Sequence, residues 1–391
     1  MRPASVFGKT FLCLAVVLIA SLFVLFDHPV VVRAGETTPA PGYKVLEPVR
    51  HGNLTVFPVV AAKTYPTGEF LTLDEGLRSG EVVVTEAGSV QGLVRRHGAP
   101  AIRHDGAEVN RLVLVNNSKR PLLLLAGEIV TGGKQDRVIG KDRIVPPESD
   151  PIDLGVFCVE PGRWVATSEH FNNSGATYRS YGSVHGVASG GPVAVMAQPS
   201  VRAKAMADKN QAEVWDEVNK QKAAMAETVE VTAAAPEVQT ELAQTSSYAK
   251  MNENAAVKKE VDAVAKPIEE HYESLIHQLR DRNAVGVVVA VNGRIIWADV
   301  FASTDLLAKY WPKLVRSYAS EAVVTRAKEM EVTVSQAQAF LGDMEGRKET
   351  IESEPGIYRH TEVTGDGFKA FSLTSLLPKT GFDVHVAKMA E

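Results

Sequence analysis

Residues 122–147, LLLLAGEIVTGGKQDRVIGKDRIVPP, together with LGVFCVEPGRW at 154–164, decide how this chain is read. Two apolar, strand-like runs bracket the densest cluster of Lys, Arg, Asp and Gln in the molecule. Either the cluster holds a ligand, or its ion pairs staple the strands together.

Outward from this stretch the pattern is β-rich on the N-terminal side. LTVFPVVAAK (54–63) and GEVVVTEAG (80–88) read as strands, and Thr72 and Glu75 have capping-box spacing at the start of a short helix. RLVLVNNSKRPLLLLAGEIV (111–130) reads as a hairpin turning at Asn116-Asn117-Ser118, with 143–145 and 154–159 continuing its sheet. Residues 95–108 read as a loop, and 170–199, rich in Gly, Ser, Asn and Ala, as a long one. Residues 201–226 and 250–282 have helical composition; the second carries an apolar face from Val257 to Leu279, and Pro267 is expected to kink or restart it. Between them TVEVTAAAPEVQ (228–239) reads as an exposed connector. AVGVVVAVNGRIIWADVF (284–301) is the clearest hairpin, with Asn292-Gly293 suited to a type I′ turn. Ser303 or Thr304 caps the next helix, Ser335 and Gln338 suggest another, and IYRHTEVTGDGFKAFSL and DVHVAKM close the sheet.

The expected fold class is α+β: a β-rich, sandwich-like N-terminal half, a helical middle, and a C-terminal β-hairpin plus helices packing as one domain. In numbers, 43–391 form the domain, with a β-rich part at 43–170, a flexible loop at 171–200, a helical part at 201–283 and an α/β part at 284–391. At 391 residues and 45% hydrophobic content the chain can bury a sizeable core.

Residues 1–34 read as a targeting segment. Arg2 and Lys9 precede an apolar run from Thr10 to Phe26, and Val32-Arg33-Ala34 offers a cleavage site. The expectation is an exported protein, with a signal peptide cleaved more readily than retained; uncleaved, the segment would be a transmembrane anchor engaging the membrane. Residues 35–42 are a Pro/Thr linker. Without residues 1–34 the chain has 39 basic and 46 acidic residues, which argues against nucleic acid as a partner. Cys158 is then the one cysteine left, so an intramolecular disulfide is excluded.

GEIVTGGK resembles a phosphate loop but places Gly133 where Lys is required, and Lys134 is followed by Gln135 so that no hydroxyl is placed, leaving at most an anion-cradling turn at Gly132, Gly133 and Lys134. Arg137, Lys141, Arg143 and Arg163 could together bind a phosphate or carboxylate, since guanidinium pairs bidentately with either; the plainer reading, slightly ahead, pairs them with Asp136, Asp142, Glu148 and Asp150. Cys158, between Phe157 and Val159, reads as core. Glu160 and Arg163 flank a Pro-Gly turn and could brace each other or touch substrate, and Trp164 reads as packing or a pocket wall. No His pair has metal-ligand spacing, so no metal and no cofactor are expected.

LLLLAGEIVTGGKQDRVIGKDRIVPP and FCVEPGRW, with EVWDEV (213–218), AVGVVVAVNG (284–293) and WPKLVRSYASEAV (311–323), resemble the hallmarks of the ARG-and-rhodanese-phosphatase-superfamily-associated protein domain, a bacterial family in which ARG is read as ADP-ribosylglycohydrolase. The resemblance runs from about Tyr43 to the C-terminus. Ile129 stands where the family pattern has a second acidic residue, Asp136 where it has Asn, and Pro161 where it has Gln; its closing His-x-Ser-x-Phe is at best echoed at Val384-His385-Val386-Ala387. The resemblance carries over no defined activity, but its name implies a setting of ADP-ribose or related phosphorylated compounds.

The leading expectation is an exported or membrane-anchored ligand-binding or scaffold protein that takes an anionic small molecule at Glu128, Lys134, Gln135, Arg137, Glu160, Arg163 and Trp164. The alternatives are a hydrolase or transferase on an ADP-ribose-like or other phosphorylated compound, with Glu128 or Glu160 as general base, and a purely structural protein without a ligand pocket.

Overall fold

In a computed structural model, described over residues 42–87, 108–168, 170–173, 195–231, 236–278, 283–325 and 331–391, the runs of β-branched residues pair into three sheets. The segment 1–34, the linker up to residue 41, His97 and His104, and most of the Gly/Ser-rich stretch lie outside the described residues.

Strands β1 (Tyr43–Val45), β2 (Val49–His51) and β3 (Leu54–Ala61) open the chain. β4 (Leu71–Thr72) leads into helix α1 (Leu73–Ser79), where Thr72 and Glu75 form the capping box and Gly80 closes the helix in the left-handed region. β5 (Val82–Glu86), β6 (Arg111–Asn116), β7 (Leu122–Leu124), β8 (Ile129–Thr131), β9 (Arg137–Ile139), β10 (Arg143–Val145), β11 (Ile152–Cys158) and β12 (Asn172–Asn173) follow. The middle is helical: α2 (Pro199–Ala203) widens into a π-helical turn over Lys204–Asp208, and α3 (Gln211–Val231), α4 (Pro236–Gln244), α5 (Tyr248–Glu253) and α6 (Ala255–Gln278) complete it. β13 (Ala284–Val291), β14 (Arg294–Phe301), α7 (Thr304–Val324), α8 (Val334–Gly342), β15 (Arg347–Glu354), β16 (Tyr358–Gly365), β17 (Phe368–Ser375) and β18 (Asp383–Ala390) end the chain. The protein is α+β, with N-terminal strands, central helices and C-terminal antiparallel strands plus helices.

The largest sheet has nine strands in the order β1-β3-β13-β14-β18-β17-β16-β15, with β2 also on β3, and every pair is antiparallel. β3 and β13 are buried along their whole length because both faces are covered. Leu54, Val56, Val287, Val289 and Val291 meet the helices, while Phe57, Val59, Val288 and Ala290 join the cluster with Ala337 and Leu341 of α8. The first three strands thus leave the N-terminal half and complete a C-terminal sheet. α6 and α7 pack with Tyr272 stacked on Trp311 at 4.2 Å. Among the described residues no helix is long and apolar enough to cross a membrane.

Several local expectations are corrected. β6 and β7 are not a hairpin: β6 pairs with β5 and β11, whereas β7 pairs with β10 and, in parallel, β4. Asn116 causes the divergence, because its side chain accepts from Ser118 N–H at 3.0 Å and donates to the carbonyls of Arg120 (2.8 Å) and Pro146 (3.0 Å), folding the link into a loop of its own. α6 does not restart at Pro267 but continues through it as one helix. Part of the expected connector is helical, since α3 reaches Val231 and α4 begins at Pro236. α8 is capped by the Thr333–Gln336 pair rather than from Ser335. β15, RKETIESE, went unpredicted because it has no apolar face; it is a charged edge strand, and such charge guards an open edge against further pairing.

Candidate functional site

The charged stretch folds as a β8–β9 hairpin in which Val130 pairs with Arg137, and β11 brings Cys158 alongside Arg137. Gly132 (φ 119°) and Gly133 (φ 48°) make the turn, and a Cβ on Gly133 would lie 2.7 Å from Oε1 of Glu86. The turn is not an open anion cradle. Its amides are spent on the protein: Gly132 N–H on Asp136 Oδ1 (3.1 Å), Gly133 N–H on Ser168 (3.1 Å) and Lys134 N–H on Glu86 Oε1 (2.7 Å).

Six of the seven predicted residues gather here. Glu160 and Arg163 brace each other: Arg163 donates to Glu160 at 2.6 Å, to the Gly133 carbonyl at 2.9 Å and to the Val165 carbonyl at 2.7 Å. Glu160 also accepts the Asp136 amide at 3.0 Å, and its carbonyl accepts from the Gln135 side chain at 3.1 Å. Burial raises the Asp136 carboxyl, the nearby Glu160 raises it further, and the Ser247 hydroxyl, 2.6 Å away, opposes both. Lys134 sits 5.0 Å and Arg137 5.9 Å from the centre of the Trp164 ring, which is 43% exposed.

Arg137 differs from its neighbours. Its side chain is fully buried, yet among the described residues Nη1 reaches only the Asp136 carbonyl at 3.5 Å, and Nε and Nη2 have no hydrogen-bond partner. Burial depresses its proton affinity, which Cys158 and Glu86 partly restore. Nε and Nη2 form the side edge of a guanidinium, the pair of parallel donors that matches a carboxylate or phosphate. Cys158 itself is buried, its thiol pushed up by burial, which removes it as a nucleophile at neutral pH.

Lys141 and Arg143 depart from the cluster, Lys141 pairing with Glu352 and Arg143 reaching Glu354 at 3.5 Å.

Glu128 does not join the other six. Its carboxylate accepts the Leu125 amide at 2.7 Å and pairs with Lys313 of α7, which also holds Asp74 at 2.9 Å. Burial pushes the Glu128 carboxyl up, against the pull of Lys313. Two residues away lies a second sealed network. Asp142 accepts the Ala126 amide at 2.8 Å and lies 2.6 Å from Nδ1 of His385, whose Nε2 lies 3.1 Å from Asp299. Arg202 grips Asp299 with two bonds of 2.9 and 3.0 Å, and Tyr318 donates to the same carboxylate. With a carboxylate on each ring nitrogen, His385 is held as imidazolium, its pKa raised to about 9, and Asp299 and Asp142 are held below the usual range. No set of His, Cys, Asp and Glu suited to a metal forms among the described residues.

Both networks close on Leu125-Ala126-Gly127-Glu128, so the motif's first half is a clasp between the small sheets, α2, α7 and the large sheet. Gly127 (φ 95°) is required there, since a Cβ would lie 2.5 Å from Cγ of Arg202. Gly127→Ala is expected to cost about 1–3 kcal/mol from the positive φ alone, read as a lower denaturation midpoint; an unchanged midpoint would contradict the close packing. Asp74, Asp142, Arg202, Asp299, Lys313 and His385 were not among the predicted site residues. The signal available was a charge in an apolar setting: Lys313 inside a packing stripe, Asp299 inside a hydrophobic hairpin.

Over the described residues, the fold and site define an α+β protein with an internally braced loop, one buried unpaired guanidinium edge, and two sealed charge networks. The chain belongs to the ARG and Rhodanese-Phosphatase-superfamily-associated Protein domain family, whose family model matches residues 42–388. No curated protein and no solved structure matches it.

Proposed function

We propose that this is a binding protein for a small anion, taken up on the Nε–Nη2 edge of Arg137 with Lys134 and Trp164 beside it. The carrying observation is the buried guanidinium with two unpartnered donors. A buried N–H without an acceptor costs free energy, and a bound carboxylate or phosphate removes that cost with charge-assisted bonds. Glu160 and Arg163 act as the frame. The apolar run at 10–26 favours an exported or membrane-anchored location.

A hydrolase or transferase with Glu128 or Glu160 as general base draws less support, since each carboxylate is already engaged by a cation. If the first word of the family name stands for ADP-ribosylglycohydrolase, ADP-ribose is a natural candidate anion.

Isothermal titration with acetate, inorganic phosphate and ADP-ribose tests the proposal. Binding of at least one, weakened 100-fold or more by Arg137→Met, is the expected result. Retention of affinity in that variant would remove Arg137 from the site.

A further inference from the structure

We infer that the anion bound at Arg137 carries a hydrogen-bond donor close to its anionic group, such as the hydroxyl or ammonium of an α-hydroxy or α-amino acid or the carbon-borne hydroxyl of a hydroxyalkyl phosphate. This rests on the anion reading above and deepens it. The observation is that the cluster has unmet acceptors as well as unmet donors. Among the described residues, Oε2 of Glu86 and Oε1 of Gln135 are buried without a hydrogen-bond partner, alongside Nε and Nη2 of Arg137. All three side chains are more than nine-tenths buried.

Glu86 and Arg137 interact electrostatically but form no ion pair. The other oxygen of Glu86 is fixed by the Lys134 amide at 2.7 Å, and the other end of the Gln135 amide by the Glu160 carbonyl at 3.1 Å, so neither side chain is free to turn away. A buried carboxylate oxygen and a buried guanidinium edge that leave each other unsatisfied are both completed by a molecule offering acceptors to one and a donor to the other. A bare anion serves Arg137 alone and places its charge near the Glu86 carboxylate. An adjacent donor turns that neighbour from a penalty into a partner. Lys134, Arg137 and Glu86 together carry one net positive charge, which suits a ligand that is anionic or zwitterionic. Trp164 and Val165, the exposed large hydrophobic side chains among the described residues, mark the solvent side of the cluster.

Matched pairs of probes test this by isothermal titration: acetate against glycolate, acetate against glycine, and ethyl phosphate against glycerol 3-phosphate. The expected result is that the donor-bearing member of at least one pair binds ten-fold or more tightly. Glycolate and glycine distinguish a hydroxyl from an ammonium donor, and the third pair distinguishes phosphate from carboxylate. Glu86→Gln keeps an oxygen for the Lys134 amide and puts an NH2 where the free oxygen stood, so it should abolish the preference, weakening the donor-bearing member and tightening the bare anion. Equal affinity within every pair on the unmodified protein would overturn this inference and leave the anion reading standing. No binding by any probe would overturn both.

Discussion

Lys313→Met is expected to destabilise the protein by about 3–5 kcal/mol, the cost of removing one partner from a buried charge set. Lys313 is almost completely inaccessible, and its ammonium holds Asp74 at 2.9 Å and pairs with Glu128. Methionine fills much of the same volume, so the loss is electrostatic: Glu128 keeps the Leu125 amide but loses its cation in a site where burial already pushes its carboxyl up. Adding Glu128→Gln should recover part of the loss, because the uncompensated charge disappears. Urea denaturation of both variants gives the answer, and a loss below about 1 kcal/mol in the single variant would contradict the pairing.

The second large effect is a dependence of stability on alkaline pH through His385. Its folded pKa, about 9, exceeds the ordinary 6.5, so protons bind the folded state more tightly. The resulting stabilisation is fully present below pH 6.5, declines above it, and is gone once pH has risen through about 9. The shift corresponds to about 3 kcal/mol. Asp299 and Asp142 act in the opposite direction: their depressed values stabilise the fold above the ordinary carboxylate range and withdraw that support in acid. His385→Gln should flatten the decline between pH 6.5 and 9 while lowering stability at pH 6. An identical slope in the variant would show that another group titrates.

What could be read from the sequence was what neighbouring residues determine. Asn292-Gly293, with φ values of 51° and 69°, fixes its hairpin within two residues, and Thr72 and Glu75 fix the start of α1 within four. The β8–β9 loop was legible as a charged centre because its partners Asp136, Glu160 and Arg163 lie close in sequence. The two networks were not, because Asp142 meets His385 243 residues away and Asp74 meets Lys313 239 residues away. Glu128 was therefore grouped with the loop it precedes rather than with the helix it contacts. β15 escaped for a different reason: an edge strand exposed along most of its length needs no apolar periodicity. The divergence of β6 and β7 was hidden in the side-chain bonds of Asn116, which propensity does not register.

Three buried cations should respond differently to removal, which shows whether the Arg137 edge is reserved for a ligand. Arg202 and Lys313 are fully paired, whereas Arg137 has an open edge. The decisive measurement is the urea-denaturation stability of ligand-free Arg137→Met beside Arg202→Met. If the Arg137 edge is reserved for a ligand, Arg137→Met is as stable as the unmodified protein or more so, while Arg202→Met loses about 3–5 kcal/mol. A comparable loss in both variants would make Arg137 a structural brace and contradict the account.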